Sequence, residues 1–127
     1  MSELNLERLL DLVDRKSQID QSSSWSDGSS TYLVELRNEI DEVEAEIGKG
    51  NSDELTDELG DVLWDYLNLV NCLAAEEGIT MKEVLLRTTA KYEERISGIE
   101  QGRTWKEIKA EQKARVLQTR DYIGGDV

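Results

Sequence analysis

Histidine, proline and phenylalanine are absent from this chain of 127 residues, and cysteine occurs once, at position 72. Without histidine the chain can form neither a Ser-His-Asp nor a Cys-His catalytic group, and no imidazole metal site. A single cysteine makes no internal disulfide, so nothing in the sequence indicates an oxidising compartment. No apolar run approaches the roughly 18–20 residues that cross a membrane, and the N-terminal segment lacks the apolar core of a signal peptide. We therefore expect a cytoplasmic protein.

Acidic residues dominate the charge of the chain. There are 28 acidic and 15 basic residues, which gives a net charge of −13. Such a field repels nucleic acid polymers and anionic lipid surfaces, so we expect neither a nucleic acid polymer nor a membrane as a partner. Because nitrogen and sulfur ligands are scarce, the chemistry of the chain is expected to depend on carboxylate oxygens.

The absence of proline and the scarcity of β-branched runs favour helices. Breaks fall in the serine-rich stretch 22–30, in the stretch 48–51, and at Gly78 and Gly98, which are typical of helix C-termini. Three helix starts carry a capping box, with cap residues Asn51, Thr80 and Thr104. These signals predict five helices, over about 3–19, 31–47, 52–77, 81–97 and 105–121.

This pattern predicts an all-α fold, a four-helix-type bundle with a central antiparallel hairpin of the second and third helices and a peripheral C-terminal helix. The third helix is apolar around more of its circumference than the others, so we expect it at the centre. A single bundle leaves this helix hard to cover, which favours dimerisation. The residues expected in the core of the hairpin include Leu33, Leu36, Ile40, Val43 and Ile47, followed by Leu55, Leu59, Val62, Leu63 and Tyr66.

Acidic residues form a second stripe beside each apolar stripe of the hairpin. The stripe on the second helix contains Glu35, Glu39, Glu42 and Glu46, and the stripe on the third contains Glu54, Glu58, Asp61 and Asp65. In an antiparallel hairpin, the residue numbers of any two residues that lie opposite each other add up to the same total. The pairs with one common sum are Glu35 with Asp65, Glu39 with Asp61, Glu42 with Glu58, and Glu46 with Glu54.

Two packing hands are compatible with this register. In one hand the acidic stripes face each other, and in the other they point apart. If they face, up to eight carboxylates crowd one groove, and a divalent cation would relieve their repulsion. Oxygen ligands alone select Mg²⁺ or Mn²⁺, or else Ca²⁺. The alternative is an ordinary solvated face on each helix, and the pattern favours the two interpretations about equally.

Two segments of the hairpin resemble the MazG-type nucleoside triphosphate pyrophosphohydrolases. Residues 38–42, Asn-Glu-Ile-Asp-Glu, are similar to the Glu-Glu-x-x-Glu motif of that family, with asparagine in place of the first glutamate. Residues 58–61, Glu-Leu-Gly-Asp, match its Glu-x-x-Asp motif. Residues 91–95 and 105–113 are similar to its later Lys-Leu-Glu-x-Arg and Trp-x-x-x-Lys segments. The resemblance covers roughly residues 20–115.

The resemblance implies a single domain over residues 1–127 that assembles as a homodimer or homotetramer. It implies Mg²⁺-dependent hydrolysis of a ribo- or deoxyribonucleoside triphosphate to the monophosphate and pyrophosphate, for house-cleaning or nucleotide-pool control, with Mn²⁺ as an alternative cation. The implied metal ligands and catalytic residues are Glu39, Glu42, Glu58 and Asp61. One alternative is a phosphoribosyl-ATP pyrophosphohydrolase or a dUTPase-like enzyme of the same fold. Another is a non-enzymatic helical module whose acidic stripes bind a basic partner.

Five residues are candidates for substrate contact, and each has a structural alternative. Lys91 and Arg95, four residues apart, hold phosphates or pair with nearby glutamates. Trp25, in the serine-rich loop, stacks on a base or covers apolar surface. Asn68 bonds the sugar or base, or is a buried polar spacer, and Tyr92 stacks on substrate or packs in the core.

Overall fold

The computed structural model describes residues 3–125, and the side chains of residues 5–118. Its helices are α1 Glu3–Gln21, α2 Ser29–Glu46, α3 Ser52–Glu77, α4 Met81–Glu100 and α5 Trp105–Gly125. No strand occurs in this part of the chain, so the all-α prediction is confirmed. The predicted bounds of α3 are correct, and the other helix ends differ from prediction by up to four residues. Within the same residues, no helix is both long and apolar enough to cross a bilayer.

Two glycines predicted to end helices have different roles. Gly78 adopts a left-handed conformation, with φ of 75°, directly after α3, as predicted. Gly98 instead lies inside α4, and the turn after that helix uses Gly102, with φ of 91°. A Cβ atom at Gly98 would lie 2.3 Å from Cδ1 of Ile108 on α5. The prediction that Gly98 ends a helix was wrong because close helix approach, rather than a turn, requires a glycine there.

The α2–α3 hairpin is closed at both ends. In the short loop, Asn51 Oδ1 accepts a hydrogen bond from the backbone N–H of Glu54 at 3.1 Å, which caps the start of α3. At the other end, the Glu76 carboxylate accepts hydrogen bonds from the backbone N–H and the hydroxyl of Ser29, at 2.8 and 2.6 Å. Gly28 has φ of 88°, and a Cβ atom there would lie 2.5 Å from that carboxylate. The two closures hold α2 and α3 in antiparallel register.

The chain divides into two compact units between Met81 and Lys82. In the first unit, α1 and α2 both pack against α3, as expected for the central helix. The buried apolar side chains of this unit are Val13, Tyr32, Leu67, Leu69 and Val70.

Several apolar side chains expected in the core of the hairpin are exposed. They are Leu33, Ile40 and Ile47 on α2, and Leu59, Leu63 and Tyr66 on α3. The prediction was wrong for these six residues because the acidic stripes occupy part of the space between the helices, which displaces the apolar stripes toward the surface of the single chain.

The second unit contains α4 and α5, which pair in antiparallel orientation. Thr104 caps α5 as predicted, because its hydroxyl oxygen accepts a hydrogen bond from the backbone N–H of Glu107 at 3.1 Å. Ile108 is the buried apolar centre of the pair, and Gln112 donates hydrogen bonds to the backbone oxygen of Lys91 and to the Glu94 carboxylate. The four-helix bundle and the single domain stay predictions.

Candidate metal centre

The acidic stripes of α2 and α3 face each other across the hairpin. One carboxylate oxygen from each of Glu39, Glu58 and Asp61 lies within 4.8 Å of the others. A second group, formed by Glu35, Glu39 and Asp65, meets the same limit. Glu39 therefore belongs to both groups. The structure selects the packing hand that the sequence left open, and it brings together three of the four predicted metal ligands.

The fourth predicted ligand, Glu42, adjoins these residues. Its carboxyl group adjoins those of Glu39 and Glu58 and contributes to the raised pKa of each. Glu42 is exposed, unlike its two neighbours, which are half-buried. The outermost pair of the stripes interacts elsewhere, since Glu46 pairs with a lysine of the loop and Glu54 accepts a weak hydrogen bond from its cap residue. The carboxylates that face each other are therefore clustered in the middle of the hairpin and on the side toward the end of α3.

Crowding makes these carboxyl groups hold protons more tightly than usual. Burial, together with contact with Glu58 and Glu42, raises the pKa of Glu39 to about 8. Contact with Glu42 raises the pKa of Glu58 above its usual range. Burial, with further repulsion from neighbouring carboxylates, raises the pKa of Asp65 to about 6. Negative charge in the groove is therefore unfavourable in the absence of a cation.

Two carboxylate oxygens of the groove are buried without a hydrogen-bond donor among the described residues. They are Oε2 of Glu39 and Oε2 of Glu58. A buried acceptor without a donor costs on the order of 1–3 kcal/mol, and a cation ligated by that oxygen removes the cost. The converging atoms are all carboxylate oxygens, the donors that Mg²⁺ and Mn²⁺ prefer. The residues present therefore fit a hard divalent cation.

We expect the metal-free protein to lose stability as the pH rises from about 4.5 to about 8. Glu39 holds its proton up to a pKa of about 8 in the folded chain, whereas in the unfolded chain it loses the proton near its ordinary pKa of 4.5. Over that interval the unfolded chain binds fewer protons than the folded chain, so the free energy of unfolding falls with increasing pH. Thermal melts in a chelator across this range measure the slope. The Glu39→Gln variant should give a flatter profile, and a melting temperature that rises with pH in the unmodified protein would contradict the expectation.

Trp25 is held by residues at the ends of α1 and α2. Its ring meets that of Tyr32 edge to face, with ring centroids 5.5 Å apart, and Lys16 Nζ lies 4.2 Å from the centre of the indole. Tyr32 is buried and donates a hydrogen bond to Asp20, and burial and this contact raise the pKa of Tyr32 above its usual range. The indole itself is 51% exposed, so part of the ring is free to contact a ligand. Sequence alone did not identify Lys16, Asp20 or Tyr32 as residues that support the indole. The one signal that could have found Tyr32 is its position one turn before the apolar Leu36.

Asn68 lies one turn after Asp65 on α3 and is 1% exposed. Its amide nitrogen donates a hydrogen bond to the backbone oxygen of Trp64 at 2.9 Å. Asn68 also contributes to the wall of a cavity of about 220 Å³, which includes Ser26 from the loop and Cys72 from α3. The buried spacer and the substrate contact are both compatible with this position, and its role stays a prediction.

The remaining candidates lie in the second unit. The Arg95 guanidinium sits 5.0 Å from the ring centre of Tyr92 and 4.9 Å from that of Trp105, and its Nε donates to Gln112 Oε1 at 2.7 Å. Arg95 is 6% exposed, whereas Lys91 is exposed. Tyr92 packs against Trp105 with centroids 5.9 Å apart. Arg95 and Tyr92 therefore contribute to the packing of α4 on α5, and a contact of these residues with substrate stays a prediction.

Comparison with protein families identifies the class of protein. The model of the MazG nucleotide pyrophosphohydrolase domain matches residues 27–98, which is more than half of the chain and includes both acidic motifs. The chain therefore belongs to the MazG family, a family of nucleotide pyrophosphohydrolases, and the resemblance of the two motifs is confirmed. No curated protein and no solved structure matched the chain.

Proposed function

We propose that this protein is a Mg²⁺-dependent enzyme that hydrolyses nucleoside triphosphates to the monophosphate and pyrophosphate, in the control of the cytoplasmic nucleotide pool. The observation that carries the proposal is the convergence of carboxylate oxygens from Glu39, Glu58 and Asp61 in one groove, where two oxygens are buried and have no donor among the described residues. Membership of the MazG family supports a nucleotide substrate.

The groove by itself repels a triphosphate, because both are anionic. Bound Mg²⁺ or Mn²⁺ would neutralise the phosphates, polarise the α-phosphorus and lower the pKa of the attacking water. Glu39, Glu58 and Asp61 would hold the cation through the oxygens that converge in the groove. Glu42 is exposed and lies against two of these residues, so it is placed to accept the proton of the water as the bond between the α-phosphorus and the bridging oxygen breaks.

We propose that the nucleoside contacts Trp25 and Asn68. The exposed half of the indole offers a flat apolar surface to a base, and Asn68 stands at the edge of a cavity one turn from the acidic groove. For the phosphates we propose Lys91 and Arg95, with Tyr92 positioning the Arg95 guanidinium through the contact of its ring. The nitrogen donors of these two residues match phosphate oxygens.

The test is an assay of pyrophosphate release from a panel of ribo- and deoxyribonucleoside triphosphates, with Mg²⁺, Mn²⁺ or a chelator. We expect equal amounts of monophosphate and pyrophosphate from at least one substrate, and no release in the chelator. Inclusion of dUTP and phosphoribosyl-ATP in the panel tests the two alternatives of the same fold. A protein that releases no pyrophosphate from any member of the panel, and gains no thermal stability from millimolar Mg²⁺, would instead be an interaction module.

We also propose that the chain forms a homodimer, or a homotetramer built from such dimers. Support comes from the exposed apolar stripes, Leu33, Ile40 and Ile47 on α2 with Leu59, Leu63 and Tyr66 on α3. At about 100° per residue these stripes lie roughly 130° around each helix from the acidic stripe. A second copy could therefore cover the apolar side of the hairpin and leave the acidic groove open to substrate.

A further inference from the structure

A second group of carboxylates lies beside the one that matches the family motifs. Glu35 stands one turn before Glu39 on α2, and Asp65 stands one turn after Asp61 on α3. Oxygens of Glu35, Glu39 and Asp65 lie within 4.8 Å of one another. Neither Glu35 nor Asp65 belongs to the Glu-Glu-x-x-Glu or the Glu-x-x-Asp motif. This group therefore requires an explanation of its own.

Asp65 distinguishes this group from an ordinary acidic surface. The residue is 7% exposed, and no donor among the described residues forms a hydrogen bond or an ion pair with it. Its charged neighbours are the carboxylates of Glu35 and Asp61, which repel it. Ionisation of the carboxyl group is unfavourable in a residue more than nine-tenths buried that has no partner among the described residues. A cation bound among these carboxylate oxygens would satisfy it.

Glu39 supplies a second, separate observation. Its Oε2 is buried and has no donor among the described residues, although the residue contributes to both carboxylate groups. A carboxylate has two oxygens and can ligate two cations, one through each. Two groups that share one such residue need not compete for a single ion.

We infer that Glu35, Glu39 and Asp65 form a second divalent-cation site, adjacent to the first and sharing Glu39 with it. The all-oxygen donor set is suited to Mg²⁺ or Mn²⁺, and three protein ligands leave coordination positions for water or for phosphate oxygens. The inference concerns cation binding alone, so it stands whether or not the chain hydrolyses nucleotides.

The experiment counts Mn²⁺ ions bound to the full chain, by the electron paramagnetic resonance signal of free Mn²⁺ during a titration without nucleotide. We expect two ions per chain in the unmodified protein and one in each of the Glu35→Gln and Asp65→Asn variants. Asp61→Asn should also retain one ion, which it would hold at the second site. The matched control is Asp41→Asn, an exposed acid on the other side of α2, which should retain two ions.

Folding is checked in the same variants by thermal melts in a chelator. Asp65→Asn removes the charge of a buried residue that has no partner among residues 5–118, so its metal-free melting temperature should not fall. A count of one ion in the unmodified protein would overturn the inference, as would two ions in Asp65→Asn. Loss of both ions in Asp65→Asn would also overturn it, because Asp65 would then belong to one common site. Pyrophosphate release by a protein that binds one ion would overturn the second site and leave the proposed function standing.

Discussion

Replacement of Asp61 by asparagine, or of Glu58 by glutamine, should lower the rate of pyrophosphate release by at least about 100-fold, since substitution of residues that only support metal ligands already costs 10–100-fold. Each change keeps the size of the side chain but removes one negative oxygen from the three that converge in the groove. The metal-free variants should be at least as stable as the unmodified protein, because each change reduces the repulsion between carboxylates. Opposite effects on activity and stability are typical of residues retained for function.

The measurement combines pyrophosphate release at several Mg²⁺ concentrations with thermal melts in a chelator. Partial recovery of the rate at high Mg²⁺ would show that weakened metal affinity causes the loss. Glu77→Gln, an exposed acid at the other end of α3, is the control and should keep full activity. Rates within twofold of the unmodified protein for both Asp61→Asn and Glu58→Gln would refute the assignment of the metal ligands.

Glutamate at position 40 should convert the proposed dimer into a monomer. Ile40 is 52% exposed in the single chain and lies in the middle of the exposed stripe on α2. In a symmetric dimer the substitution occurs twice and places two charges without partners in an apolar contact. Since each 1.4 kcal/mol changes a dissociation constant tenfold, we expect the dimer to weaken by at least about 100-fold. Sedimentation equilibrium at micromolar concentration should then report one chain of 14.4 kDa in place of two.

Val34 provides a matched control for this substitution. It is on the same helix and is also 52% exposed, but it lies about 120° around the helix from Ile40. Val34→Glu should therefore leave the dimer intact. A monomer in the unmodified protein, or equal dissociation by Val34→Glu and Ile40→Glu, would contradict the proposed interface.

Local sequence signals predicted the helices and the register of the hairpin. Asn51 and Gly78 mark the ends of α3 because caps and left-handed turns are set by neighbouring residues. The hand of packing is different, since it depends on contacts between distant segments. Val13 of α1 and Leu67 of α3 are buried in the unit where α1 packs on α3, and no periodicity within one helix encodes that choice.

The remaining differences have the same physical origin. From sequence alone, a glycine needed for a turn cannot be distinguished from a glycine needed for close helix approach, so Gly98 was predicted to end a helix. Only the structure shows that Ile108 packs against it. Asp65 was visible in the acidic stripe, but its burial, and its lack of a donor within the part of the chain that the structure describes, appear only in three dimensions. For the groove, sequence predicts which carboxylates lie level with each other, and tertiary packing determines which of them meet.

On the proposed function, the buried oxygens of Glu39 and Glu58, which have no donor in the described part of the chain, would link the supply of divalent cation to the lifetime of the protein. A cation that binds only the folded chain adds about 2.7 kcal/mol of stability when its free concentration is 100 times the dissociation constant. On the proposed function, free Mg²⁺ in the cell would set the folded fraction of the enzyme as well as its rate. Cells depleted of Mg²⁺ would then lose this enzyme by proteolysis of the unfolded chain, rather than accumulate it in an inactive form.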